Sequence, residues 1–300
     1  MNEFLQQVIN GVSLGAIYAL IALGYTMVYG VLKFINFAHS DVFMIGAFSA
    51  FYAVQKYPSV FVINSWPGGA LVIFTVMALC ALLGMVIELL AYRPLRNKPR
   101  LSVLITAIGV SLLIENLAQL QFGAAPQHFP DLLPVTIIHL GNLSISSTKI
   151  VVIGVAAFLL VALEFIVRKT KIGVAMRAVS FNHQTAALMG VNVDLVISFT
   201  FGLGSALAGA GGVLYSLSYP AVEPFMGIMP GLKAFVAAVL GGIGNIPGAA
   251  LGGLLLGIIE TFVKGSHYST FTDAIAFAIL ILILLFRPAG LLGKVQIEKV

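Results

Sequence analysis

The 300-residue chain is 60% hydrophobic and only 9% charged, with a mean hydropathy of +1.05 and a formal net charge of +5. Soluble domains carry about 25% charged residues, so this composition excludes a soluble globular enzyme and points to an integral membrane protein. The single cysteine, Cys80, leaves no internal disulfide framework, and the 31 glycines spread through apolar runs suit closely packed helices in lipid rather than a barrel of short alternating strands.

A bilayer core of about 30 Å takes roughly 20 apolar residues in a helix. The first such run is 8–30; no Lys or Arg precedes it, and it exceeds the apolar core of a cleavable leader, so it is expected to remain as a span. The next stretch, Lys33–Asp41 (KFINFAHSD), is the densest in polar groups of any near-membrane segment. Asn36, His39 and Asp41, with Ser40, are candidates for lining a gate or translocation path, while Ser40 or Asp41 is also placed to cap the free amides of the following helix. His39 and Asp41 are too few ligands for a zinc site, and no metal is expected. Further spans are predicted at 38–56, 69–92 and 101–122. Cys80 reads as a small core residue. Glu88 lies near the end of its span, close to Arg93, and reads as structural. Glu115 and its neighbour Asn116 lie deeper, where a charge costs about 2.5–3.5 kcal/mol on insertion scales, and they read as path residues or as pins between helices.

In Val135–Ser146, VTIIHLGNLSIS, β-branched residues flank Gly141-Asn142, the pattern of a tight hairpin. By parity it lies on the outer face, as a surface flap or as a docking feature for an external partner. A fifth long span is expected at 149–167, with Glu164 paired to Arg168. The segment Lys171–Asn192, KIGVAMRAVSFNHQTAALMGVN, is basic and amphipathic in a chain that is otherwise almost continuously apolar, and it is expected to touch something in the cytoplasm. Spans at 193–217 and 271–287 flank a longer apolar run, Gly231–Val263, broken by GGIGNIPG at 241–248. Irregular backbone at membrane depth must be buried in protein or line a wet cavity. The break, with Asn245 and Pro247, therefore reads as part of a path, or else as a short loop at the cytoplasmic surface. Glu260 is the deep carboxylate of this run, again a path residue or a pin.

Eleven of the 16 Lys and Arg fall in three places: four in 93–100, four in 168–177 and three in 287–299. Basic clusters beside spans are the positive-inside signal and need no nucleic acid, so all three are expected in the cytoplasm, the C-terminus included. Equal siding of the last two requires 231–263 to be a re-entrant hairpin or two thin spans rather than one crossing. The expected fold is all-α: one polytopic membrane domain over 1–300 with about eight membrane segments, one of them discontinuous or re-entrant near 231–263. Three crossings back from Arg93 place the N-terminus outside. Small residues recur every fourth position at Gly11, Gly15 and Ala19, at Gly204, Ala208 and Gly212, and at Ala249, Gly253 and Gly257, flat stripes suited to helix contacts or a dimer seam. The chain has no P-loop, no His-Glu-x-x-His and no Gly-x-Ser-x-Gly, so no catalytic residue is assigned and no enzyme activity is expected.

Three runs in order, GYTMVYGVLKFINFAHSD from Gly24, MRAVSFNHQTAALMGVN from Met176, and LGGIGNIPGAALGGLLLGIIE from Leu240, resemble the permease subunits of branched-chain amino acid ABC importers, specifically the H-type member of the paired permeases. The resemblance covers nearly the whole chain. It implies a bacterial or archaeal plasma-membrane complex of two related permeases, two cytoplasmic ATPases that bind ATP and Mg, and a periplasmic or lipid-anchored binding protein that sets most of the selectivity. It also implies that 168–190 is the coupling segment, seated on an ATPase through Arg177, Gln184, Ala186, Ala187 and Gly190. The family pattern has a glutamate at the position of Gln184, so docking rests on the small residues and on Arg177 against an acidic groove, not on an ion pair at 184. A different class, an ion-coupled secondary transporter, would use Asp41, Glu115 or Glu260 to bind its coupling ion and would run without nucleotide.

Overall fold

A computed structural model of the chain describes residues 2–96, 98–140 and 143–293. The centre of the bundle is α1 (Asn2–Leu32), whose middle is buried almost all round. A short link leads into α2 (His39–Lys56), then α3 (Trp66–Ile87), started by a Ser65 cap and Pro67, which runs on through a π-helical turn at Glu88–Tyr92. After it come α4 (Arg100–Phe122) and α5 (Ser147–Lys169), both apolar on most faces and mainly peripheral. Two short helices, α6 (Lys171–Phe181) and α7 (His183–Leu188), precede α8 (Val193–Ser218). The chain closes with α9 (Ile228–Gly241), α10 (Ile246–Lys264) and α11 (Thr272–Phe286).

Among the described residues, seven stretches are long and apolar enough to cross a membrane, 3–32, 66–95, 101–122, 147–169, 193–218, 246–264 and 269–286, with the shorter apolar helix 228–241 beside them. The run 231–263 is thus discontinuous, as its Gly/Pro break requires: Gly242 and Gly244 take φ of +104° and +91°, and Asn245 caps α10 by accepting from the Gly248 amide at 3.2 Å. At about 21 Å, α9 is too short to span the apolar core. The segment expected at 38–56 is helical, but its polar ends, His39–Asp41 and Gln55-Lys56, keep it out of the seven.

Small-residue stripes decide which helices meet. Gly11 and Gly15 on α1 face Gly253 and Gly257 on α10, and a Cβ at Gly15 would lie 2.7 Å from the Leu254 Cα. On α8, Gly204 meets Gly24, Gly209 meets Gly46 of α2 and Cys80 of α3, and Gly212 meets Phe43. The stripes are therefore contacts within one chain, and Cys80 is a buried core residue. Replacing Gly15 with Val forces two backbones apart, at a cost of about 1–3 kcal/mol. Thermal unfolding of purified protein in detergent should show that loss, whereas Gly154→Val, at a site with nothing within 4 Å, should leave the transition in place.

The hairpin expected around 135–146 forms: β2 (Ile137–Leu140) pairs antiparallel with β3 (Leu143–Ser146), while its turn residues Gly141 and Asn142 lie outside the described residues. A second small sheet joins β1 (Gln127–His128) to β4 (Ala221–Val222).

Candidate functional site

One end of the bundle gathers the basic groups. Glu88, fully buried, accepts from Arg93 at 3.3 Å, from Arg96 and from Ser198 at 2.6 Å, and both arginines also reach Asp194 at the start of α8. Two cations thus neutralise two anions and tie the end of α3 to α8. Lys33 and His183 border the same cleft, with the His183 Nε2 3.1 Å from the Val31 carbonyl oxygen. The Gly244 turn approaches Gly30, and α6 closes the groove beside it through Met176 and Arg177. The segment after α11 returns to this end too: the Leu291 and Leu292 amides donate to Leu240 and Gly241, and Asn245 donates to the Leu292 carbonyl at 2.7 Å. Arg93 and Arg96, the 168–177 cluster and Arg287 therefore share one side, as the charge pattern requires; the other two basic residues of the C-terminal cluster, Lys294 and Lys299, lie outside the described residues. The break at 241–248 belongs to this end, where Asn245 caps α10 and Pro247 occupies its first turn.

The segment 168–190 is built from caps. The Thr170 hydroxyl accepts from Gly173 at 3.2 Å to start α6, and Asn182 accepts from Thr185 at 2.9 Å to start α7. Gly190, at φ +82°, closes α7 by donating to Ala187 at 3.0 Å. Gly173, Met176 and Val179 anchor α6, and Ala186 anchors α7. Gln184, Ala187 and Gly190 face outward, while Arg177 donates to the Val167 carbonyl at the end of α5. Sequence reading passed over the large apolar side chains here: Phe181, Leu188 and Met189 are 93%, 87% and 80% exposed. Their signal was present as apolar residues on the polar side of the segment.

A second polar group lies inside the bundle. The link 33–38 turns back, so that α2 begins beside Gly24, about 12 Å below the end of α1. The His39 ring fills the space a side chain at Gly24 would take and meets Tyr25 edge-on at 4.8 Å between centroids. Asn36 accepts from Tyr92 at 2.6 Å. The capping role expected for Ser40 or Asp41 is not the one found: no side chain caps α2, because both residues already sit within its first turn and Ser40 donates back to the Phe37 carbonyl at 3.0 Å. Asp41 lies beside Ser111 and Glu115 on α4. The next residue, Asn116, is exposed and donates to its own helix at Leu112. Gly227 and Gly231, at the start of α9, pack on Ser40, so two helix N-termini meet within the bundle.

Glu260 sits elsewhere, in a separate network of α1, α9, α10 and α11. It accepts from Tyr18 at 2.9 Å, from Lys233 at 2.8 Å and from Lys264 at 2.8 Å, and Lys233 also bonds Asp273 at 2.6 Å. Lys233 is a buried cation that the sequence reading missed, though it is the one charge in an apolar helix.

A polytopic bundle with a capped amphipathic segment at its basic end, and irregular backbone leading to buried carboxylates, is the anatomy of a transport subunit. Residues 7–284 match the family described as "Branched-chain amino acid transport system / permease component". The chain belongs to this family. It is 42% identical to the high-affinity branched-chain amino acid transport system permease protein LivH of Escherichia coli K12, over 99% of this chain and 98% of that protein. It is 41% identical, over the same shares, to the corresponding permease BraD of Pseudomonas aeruginosa. A probable permease of Methanocaldococcus jannaschii shares 28% identity over 91% of this chain and 88% of its own length.

Proposed function

We propose that the chain is one of two related permeases in an ABC importer for branched-chain amino acids or close relatives, with ATP and Mg bound by separate ATPase subunits. A bacterial or archaeal plasma membrane, a cytoplasmic C-terminus and an external binding protein complete this reading. The observation that carries it is the exposed apolar face of 181–189, held by caps at the basic end of the bundle. Three large apolar side chains facing water on a rigid hairpin of helices are suited to burial in a groove of another protein. The substrate class comes from the relatives' names, and full-length identity above 40% supports it.

Movement of the ATPases reaches the spans through this hairpin, because α6 is packed on α5 and α7 is tethered to the end of α1 by His183. A nucleotide-driven shift requires contacts that differ between the two states, and the docked face supplies them. Copurification tests the assignment. Tagged chain expressed with its neighbouring genes should bring down two ATPase subunits and a second permease, and liganded binding protein should stimulate ATP hydrolysis. Uptake by the chain alone, without nucleotide, would instead identify a secondary transporter.

A further inference from the structure

A cavity of about 290 Å³ opens between α1, α4 and α9, with Tyr25, Ser40, Ser111, Glu115, Leu112 and Ile228 among its walls. Its polar side carries Glu115, with Asp41 buried behind the wall. Asp41, 1% exposed, lies against Ser111 and Glu115, and its Oδ2 has no hydrogen-bond partner. Glu115 is 8% exposed, on the same face of α4 as Ser111 and the buried Ala118. Two carboxyls without a fixed cation beside them are costly at this depth unless they are protonated or a positive group visits them. Here the acidic pair has neither a lysine nor an arginine on the cavity wall. That contrasts with Glu88 and Glu260, each of which has two basic partners in place.

The other polarity comes from the start of α9, which packs on Ser40. The first turn of α9 borders the cavity through Ile228 and carries no side-chain cap; Ile228 and Gly231 donate to Phe225 and Gly227 and Pro230 has no N–H, so the helix dipole and the Met229 amide are what it offers an anion. Ile108, Leu112, Ile228 and Leu232 give the walls their aliphatic part. We infer that Asp41 and Glu115 hold the ammonium group of an aliphatic amino acid in transit, with its carboxylate toward the start of α9 and its side chain against Leu112 and Ile228. This rests on the reading of the chain as an amino-acid permease, and it assigns the carboxylates to substrate rather than to a coupling ion.

The test uses the complete importer, with ATPases, second permease and binding protein, in proteoliposomes supplied with radiolabelled leucine. Asp41→Asn and Glu115→Gln should each lower uptake about tenfold or more, since each removes a charge-assisted hydrogen bond. Asp41→Glu, which keeps the charge, should retain several times the uptake of Asp41→Asn. Glu115→Gln, on the more open α4, serves where the buried Asp41→Asn fails to assemble. Normal uptake in Glu115→Gln and Asp41→Asn, or equal loss in Asp41→Asn and Asp41→Glu, overturns the subsite alone. Absence of leucine uptake by the wild-type importer overturns the transport reading and the subsite together.

Discussion

Replacing Glu260 with Gln is expected to destabilise the subunit by about 3–5 kcal/mol, the usual consequence of stranding a buried charge by removing its partner. Lys233 is 7% exposed at its side chain, and of its two acidic partners only the half-exposed Asp273 would remain. Tyr18 would also lose the carboxylate that now accepts its hydroxyl. Thermal unfolding in detergent measures the loss. The double variant Glu260→Leu with Lys233→Met should recover much of it, because apolar replacement of both members of a buried pair is often neutral. Uptake by that double variant separates the two readings of Glu260: retained uptake identifies a pin between α9 and α10, and lost uptake in a stable subunit identifies a path residue.

Ala187→Trp is expected to reduce leucine uptake by the assembled importer to less than about a tenth, a loss of more than 1.4 kcal/mol at the docked face. Ala187 is exposed and its neighbour Ala186 carries the packing of α7, so the variant should insert and unfold like wild type. ATP hydrolysis that no longer responds to liganded binding protein is the accompanying sign. Unchanged uptake would remove the coupling role from α7.

Apolar length made most of the helices legible, and the 241–248 glycines with Pro247 located the division between α9 and α10 within a few residues. Local chemistry also located the hairpin at 135–146, since it depends on residues near each other in sequence, while the equally local caps around 168–192 were passed over. Depth was harder to read. The run KFINFAHSD looks from sequence like a loop followed by a span, yet its backbone turns into the bundle because Gly24 and Gly204 leave room for His39 and the start of α2. Two glycines on two helices create that space, and neither signals it alone. Pairings were harder still: nothing local links Asp41 to Ser111 and Glu115, or Lys233 to Asp273, because each depends on how long helices cross. Arg177, expected against a partner's acidic groove, donates to the Val167 carbonyl within its own chain.

The central position of α1 bears on how the subunit is made. Its hydroxyl at Tyr18 reaches a carboxylate 242 residues later, and its glycine face waits for α10. During synthesis the first helix therefore enters the bilayer with its groove and polar groups unmatched, and it stays so until nearly the whole polypeptide has followed. Nascent chains stopped before α10 should be short-lived substrates for membrane proteases, and chaperoning of the newborn helix becomes a condition for a full yield of transporters.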